Sequence, residues 1–563
     1  MQQPFINRIT FKNFRGDFFG GLTTTVIALP MALAFGVASG AGPIAGLYGA
    51  VLVGFFAALF GGTPTLISEP TGPMTVVMTG IIAYLVANNP ENGMAMAFTV
   101  VMMGGVFQIL FGMLGLGKYI TLMPYTVISG FMSGIGWILI ILQIPPFLGQ
   151  SSPGGGVVGV ITNLPNLIAN INTAETILAA VTVAIIFLTP SKLSKVIPPQ
   201  LIALVIGTVI SLFAFGGTEI SRIGAIPTGL PQLIVPTFTT SELGKMFVDA
   251  LMLGMLGSID ALLTSTVADS MTNTQHNSDK ELVGQGIGNI FSGLFGGLPG
   301  AGATMGTVVN IQSGAQTPLS GLIRAGVLLI VVFWAGGLTA NIPMAVLAGI
   351  ALKVGFDIID WGYLKRAHRL SIKAALIMYG VLLLTVFVDL ITAVGVGIFI
   401  ANMLTIRRLS DIQAERVKPI NSEEDRIFLN AEEKSLLKET GDRVLLLHLS
   451  GAMIFGASKA ISKQREVANR YDILILDLSD LSLLGVSSSL AIETLVKEAC
   501  DKKHQVLIVT SRNKVKSRLQ SLNIFQFDPR PKLKRNRKEA IEEAIHLVNN
   551  DRLENSNGHL AKV

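Results

Sequence analysis

The chain has 563 residues, 50% of them hydrophobic and only 14% charged, with a formal net charge of +6. Soluble globular domains carry about 25% charged residues, so a water-soluble globule is excluded for most of the length and long apolar runs read as membrane spans. A single cysteine, Cys500, excludes an internal disulfide, and the positive charge lies in short loops and the tail, which gives no argument for a nucleic-acid partner.

Charge is unevenly spread. No Lys or Arg occurs from Gly16 to Gly117 or from Tyr119 to Ser191, whereas the chain is highly charged from Ser410 onward. This predicts a transmembrane transport domain over 1–409, a linker over 410–438, a soluble domain over 439–550 and a tail over 551–563. Arg8, Lys12 and Arg15 lead into an apolar segment that contains Pro30 and continues into further spans, unlike a cleavable signal peptide. Pro30 reads either as a simple kink or as a break that opens carbonyls toward a site.

About fourteen apolar segments follow, at 20–38, 44–61, 71–87, 95–115, 120–142, 173–190, 199–216, 243–267, 281–296, 303–313, 317–335, 343–354, 371–388 and 390–406. With an even number of spans both ends lie on one side. Arg8, Lys12 and Arg15, Lys118, Lys192 and Lys195, the group Lys365, Arg366 and Arg369, and Arg407 with Arg408 all fall on that side, which the positive-inside rule makes cytoplasmic.

The segments at 71 and 303 are short and follow Gly/Pro-rich approaches, "GGTPTLISEPTGP" and "GGLPGAGATMGT". They are third in the first seven spans and third in the second seven. Paired short, interrupted segments point to a transporter built from inverted repeats. The run from Gly300 to Gly306 is neither a Walker loop, for want of a Lys, nor a dinucleotide fingerprint, for its spacing is wrong by one. It reads as a half-helix beginning near Gly302, whose first amides lack intrahelical partners and carry partial positive charge, with hydroxyls from Thr304 and Thr307. "SEPTGPMT" does the same in the other half: Pro70 and Pro73 suit a helix start and Thr71 is a candidate cap. Two such ends aimed at one point form an anion site without a basic side chain. Close helix packing through small residues is the plainer alternative.

Charged groups inside spans cost about 2.5–3.5 kcal/mol on insertion scales, so Asp260, deep in "LMLGMLGSIDALLTSTVAD", stands out. Thr264 lies one turn on and shares its face; a carboxylate with a hydroxyl suits a hard cation, or else a structural bond to a neighbouring helix. Glu69 reads as a structural or gating acid. Asp357, Asp360 and Asp389 read as packing or interface acids, with Arg324 as the partner of one of them, and His276 as an ordinary loop residue. No metal-ligand cluster or nucleophile–base set indicates an enzyme or a resident cofactor.

After the linker, "RVLLLHLSG", "DILILDLSD" and "QVLIVT" read as strands alternating with the helices "GASKAISKQREVANR", "SSSLAIETLVKEACDKK" and "NKVKSRLQSL", a small α/β domain. The basic run "RPKLKRNRK" is a solvated surface or an attraction to anionic lipid.

The stretches "GDFFGGLTTTVIALPMALAFGVASGAGPIAGLYGA", "GGTPTLISEPTGPMT", "GSIDALLTSTVADSMT" and "ELVGQGIGNIFSGLFGG" resemble the SulP family of anion transporters, also called solute carrier family 26, and the tail resembles its STAS domain. "GAGATMGTVVNIQSG" and "DIIDWGYLKRAH" are similar to the family's sodium-dependent bicarbonate transporters. The resemblance implies an α-helical polytopic membrane protein with 14 spans as 7+7 inverted repeats, two half-helices and core and gate subdomains, plus a C-terminal α/β STAS domain. It implies a multi-pass inner-membrane symporter of bicarbonate and sodium, homodimeric through STAS, or one that carries sulfate or another small anion. It also implies a sodium site at Asp260, Thr264, Gly302, Ala303 and Thr304 and a bicarbonate site at Thr71, Ala303 and Thr304. Many members carry a basic residue where this chain has Gly306; without it, bound sodium supplies the charge. Gly485 and Val486 stand where STAS relatives have Asp and a phosphorylatable Ser, which leaves only Ser487 of that motif.

Overall fold

The computed structural model describes residues 5–120, 124–190, 193, 197–215, 219–224, 231–334, 340–388, 390–420, 429–454, 456–468 and 470–560. Lys192, Lys195 and Asp389 lie outside them. Internal contacts divide the chain into two units, one ending at Ala401 and the other beginning at Asn402.

The first unit is helical, and every apolar segment read from the sequence contains a helix. In chain order these are α1 (Phe14–Ala38), α2 (Pro43–Phe60), α3 (Gly72–Asn88), α4 (Gly93–Met113), α5 (Tyr125–Leu142), α6 (Thr173–Leu188), α7 (Pro199–Phe213), α8 (Leu243–Thr272), α9 (Ser278–Leu294), α10 (Thr304–Gln312), α11 (Leu319–Trp334), α12 (Met344–Ile358), α13 (Ile372–Phe387) and α14 (Leu390–Ala414). Among the described residues, six of them are long and apolar enough to cross a membrane: α1, α2, α4, α5, α8 and α14. α1 runs through Pro30 without a break.

Glycines set how closely the helices pack. A methyl group on Gly105 of α4 would lie 2.5 Å from the Gly286 carbonyl of α9, and one on Gly286 equally close to the Gly105 carbonyl. Small residues at such crossings replace the hydrophobic drive that lipid cannot give. Gly136 of α5 and Gly355 of α12 meet in the same reciprocal way. The contacts gather α1, α2, α4, α8, α9 and α11 into one group, and α5, α6, α7, α12 and α13 into another, with α1 also touching α12.

Two residues on each side form a short antiparallel ladder between halves that are distant in sequence. β1 (Ser68–Glu69) pairs with β2 (Ala301–Gly302), Ser68 opposite Gly302 and Glu69 opposite Ala301. β1 leads into α3 and β2 into α10.

The second unit contains a five-stranded sheet in the order β3 (Val417–Ile420), β4 (Val444–Leu449), β6 (Ile473–Asp477), β8 (Gln505–Val509) and β9 (Lys532–Lys534). β3 is antiparallel and the rest are parallel. β5 (Gly451–Met453) and β7 (Leu481–Leu484) form a separate pair. The helices are α15 (Ala431–Glu439), α16 (Gly456–Ala468), α17 (Val486–Asp501), α18 (Asn513–Ser521) and α19 (Arg537–Leu560). β4, β6 and β8 are almost wholly buried, as continuous apolar runs in a parallel sheet require. All six elements read from the sequence are present. β3, β5, β7 and β9 were not read: they are three or four residues long, and β3 holds Pro419 while β9 alternates with lysines.

At the end of β6 the buried Asp477 gathers His448 Nδ1 at 2.7 Å, Ser479 N at 3.1 Å, Ser479 Oγ at 2.7 Å and Arg537 Nε at 2.8 Å. Burial alone would raise this carboxyl; the bonds from His448 and Ser479 and the charges of Arg537 and His448 outweigh it and hold it down at about 2. A carboxyl depressed on folding stabilises the fold above its ordinary pKa and loses that contribution as pH falls through the folded value. Asp477→Asn is therefore expected to cost about 2 kcal/mol at neutral pH. Hydrogen exchange of β4 and β6 in the solubilised chain should quicken about thirtyfold at pH 7, and the gap between the two proteins should close as pH falls from about 4 toward 2.

Candidate functional site

α3 and α10 begin beside each other because the ladder holds them there. Outside the ladder, the Ala303 amide donates to the Ile67 carbonyl at 2.8 Å, and the Ile67 amide donates to Thr307 Oγ1 at 3.0 Å. These bonds need the two backbones in close approach. A methyl group on Gly300 would lie 2.7 Å from the Glu69 carbonyl, and one on Gly302 would lie 3.1 Å from Ala261 Cα and Thr264 Cβ.

α10 starts at Thr304, with Ala303 as its cap residue, two residues later than the sequence reading placed it. The Ala303 amide is therefore engaged with Ile67, and the amides without an intrahelical acceptor are those of the first turn from Thr304. On α3, Pro73 occupies the first turn as expected. Thr71 is at the cap position, yet its side chain accepts no capping bond; its hydroxyl instead donates to Asp260 Oδ2 at 2.8 Å. The cap reading is corrected, because a buried carboxylate is the stronger acceptor.

Both helix starts open onto a cavity of about 370 Å³ lined by Glu69, Thr71, Asp260, Gly302, Ala303 and Thr304, with Met31, Phe35, Met132, Gln200, Val354, Asp357 and Ile358 among the other residues of its wall. Five of the six residues picked from the sequence thus share one cavity. The sixth, Thr264, is fully buried behind them. It donates to the Gly302 carbonyl at 2.8 Å and pairs with Thr304 Oγ1 at 2.9 Å. Since its one proton goes to Gly302, Thr304 must donate to Thr264. The result is an all-oxygen set: a carboxylate, hydroxyls and the carbonyls of a helix approach, the donors a hard cation takes. No soft or nitrogen ligand is among them.

Sequence reasoning missed the walls from α1, α5, α7 and α12, whose apolar residues carry no signal of their own, and the partner of Arg324. Arg324 pairs with Glu69, not with any of the aspartates. Asp357 pairs with Lys353 one turn earlier on α12, and Asp360 accepts from Tyr125 at 2.7 Å, Ser129 at 2.8 Å and the Tyr363 amide at 3.0 Å. His276, read as ordinary, has its ring 2.7 Å from Asp269 and accepts or donates to Ser278 at 2.9 Å. Asp17, passed over entirely, is buried and receives Gln316 N, Thr317 N and Thr317 Oγ1 at the start of α11.

Residues 14–381 match the Sulfate permease family and residues 435–540 the STAS domain. The chain belongs to the sulfate permease family. It is 62% identical, over 543 residues and 96% of both chains, to the bicarbonate transporter BicA of Picosynechococcus sp. (strain ATCC 27264 / PCC 7002 / PR-6). The transmembrane domain of a cyanobacterium BicA superposes with a TM-score of 0.67 at 67% identity, covering 69% of this chain and all (100%) of that one. The murine Solute Carrier 26 family member A9 anion transporter, in its inward-facing state, matches 95% of this chain and 92% of its own with a TM-score of 0.79 at 18% identity, which speaks for the fold. The protein is a multi-pass membrane transporter with the helical fold of solute carrier 26 and a C-terminal STAS domain, not an enzyme.

Because backbone atoms meet the missing Cβ of Gly300, Gly300→Ala must part the ladder. The solubilised variant is expected to unfold several degrees lower in a thermal scan, roughly the effect of about 2 kcal/mol in a domain this size; an unchanged midpoint would show that the ladder does not bear on stability.

Proposed function

We propose that the chain is a sodium-coupled symporter that carries bicarbonate into the cell by alternating access. The observation that carries the reading is the meeting of Asp260, the Gly302 approach and both half-helix starts on one cavity. The name of the 62% identical relative supports the choice of anion. Sodium is cargo here, held by Asp260, Thr264, Thr304 and the carbonyls of Gly302 and Ala303. Bicarbonate lies against Thr71, Ala303 and Thr304, where the unpaired amides of two helix starts favour negative charge.

Coupling follows from charge. A lone anion entering a negative-inside cell works against about 2.3 kcal/mol per 100 mV. One sodium moving with it cancels that term and adds its own gradient. The site offers the anion helix dipoles but, among the described residues, no basic side chain on the cavity wall, so a bound cation completes it.

In this reading the fourteen helices are spans in two inverted sets of seven, and the antiparallel β1–β2 pair joins their third members. The α1–α4 and α8–α11 helices form the core, and α5–α7 with α12–α14 the gate. Residues 1–409 carry transport, 439–550 form the STAS domain, and 410–438 and 551–563 are linker and tail. Both ends face the cytoplasm at the inner membrane, and two copies associate through STAS.

In proteoliposomes, uptake of labelled bicarbonate is expected to require sodium, and Asp260→Asn to abolish the sodium dependence while the protein remains monodisperse. Uptake indifferent to sodium would falsify the coupling. Strong competition by excess sulfate would move the assignment to the broader anion class named among more distant relatives, such as a putative sulfate transporter of Bacillus subtilis at 30% identity.

A further inference from the structure

Three carboxylates border the cavity: Glu69, Asp260 and Asp357. Asp357 has Lys353 on its own helix. Glu69 has Arg324, reached from α11 across the protein. Among the described residues Asp260 has no cation, only the Thr71 hydroxyl.

Arg324 is an expensive residue to place. It is fully buried in an apolar unit, and a guanidinium there must be paired to be tolerated. Room has been left for it: a methyl group on Gly54 would lie 2.9 Å from its Nη1. That nitrogen also donates to the Ser68 carbonyl at 3.2 Å and the Ala50 carbonyl at 3.4 Å. Arg324 thus grips both residues of β1 from behind, without lining the cavity itself. The other face of Glu69 looks at α10, because a Cβ on Gly306 would lie 3.5 Å from Glu69 Oε1. An uncompensated Glu69 would hold a negative charge against the first turn of α10, whose free amides are the anion's partners.

We propose that Arg324 is a positioning residue that sets the charge of the site: by neutralising Glu69 it leaves Asp260 as the one uncompensated carboxylate, so that a single sodium brings the cavity to neutrality and the positive end of α10 stays open to the anion. This rests on the sodium–bicarbonate reading above. The sign of its effect is specific. Loss of the cation strands a negative charge, which opposes the anion. Loss of the carboxylate strands a positive charge, which opposes sodium. Loss of both restores neutrality.

The test is sodium-dependent uptake of labelled bicarbonate by the full chain in proteoliposomes, with KM for each ion measured in the unchanged chain, Arg324→Met, Glu69→Gln and the double variant. Arg324→Met is expected to raise the bicarbonate KM at least about tenfold without raising that for sodium, and Glu69→Gln to raise the sodium KM by a similar factor, as charge partners of a desolvated site do. The double variant should return both to within about threefold. A merely structural arginine would not give opposite signs or rescue. An Arg324→Met with normal bicarbonate KM overturns the proposal, and so does a double variant no better than Arg324→Met. If Arg324→Met alone aggregates, a monodisperse, transporting double variant upholds the charge role, and a double variant that also aggregates refutes it. Lack of sodium-dependent uptake in the unchanged chain would sink the transport reading itself; its presence beside the wrong variant pattern would sink only the role of Arg324.

Discussion

The membrane unit depends on four residues of antiparallel strand. β1 and β2 are too short to be stable as a sheet, yet they fix where α3 and α10 begin. Water would dissolve so small a ladder; in an apolar interior its hydrogen bonds have no competitor and are correspondingly strong. The two bonds between Ile67 and the residues Ala303 and Thr307 extend it. Glycine is required at 300 because a side chain would strike the opposite carbonyl. A binding site made of backbone amides and carbonyls needs this kind of support, since backbone cannot be moved into place by a rotamer change.

The cavity follows from that constraint. Once the two helix starts are fixed, their first amides point where no intrahelical acceptor exists, and the approaches bring the Gly302 carbonyl and the Thr304 hydroxyl beside α8. Thr264 and Asp260, one turn apart, then divide the work. Thr264 ties α8 to β2 through Gly302, while Asp260 ties it to α3 through Thr71. The same helix face therefore holds both halves of the molecule together and lines the cavity.

Much of this was legible in the chain because it rests on local pattern. Helix positions follow from apolar runs bounded by glycine and proline, the two short helices from their Gly/Pro-rich approaches, and Asp260 from the cost of a carboxylate in such surroundings. What could not be read involves partners remote in sequence. Thr71 is a cap by every local rule, and only the fold puts Asp260 within its reach. Arg324 and Glu69 are separated by 255 residues, and nothing near Arg324 marks Glu69 over the aspartates closer in the chain. Asp17 serves the start of α11 some 299 residues on. The edge strands β3 and β9 were missed for another reason: they are short, and exposed charge on an edge looks like loop.

The buried acids differ in how they are satisfied, and that difference bears on function. Asp477 receives four hydrogen bonds, from His448, Arg537 and twice from Ser479. Asp17 receives three, and Glu69 has a guanidinium. Each of these is as complete as a structural carboxylate must be to repay its desolvation. Among the described residues Asp260 receives one neutral donor. The same fold that equips Asp477, Asp17 and Glu69 so fully leaves Asp260 short, beside hydroxyls and carbonyls with lone pairs to spare. On the sodium-coupled reading proposed above, the shortfall is one that a mobile cation fills and a fixed arginine would abolish, since a permanent partner would hold the site neutral whether or not a cation were bound.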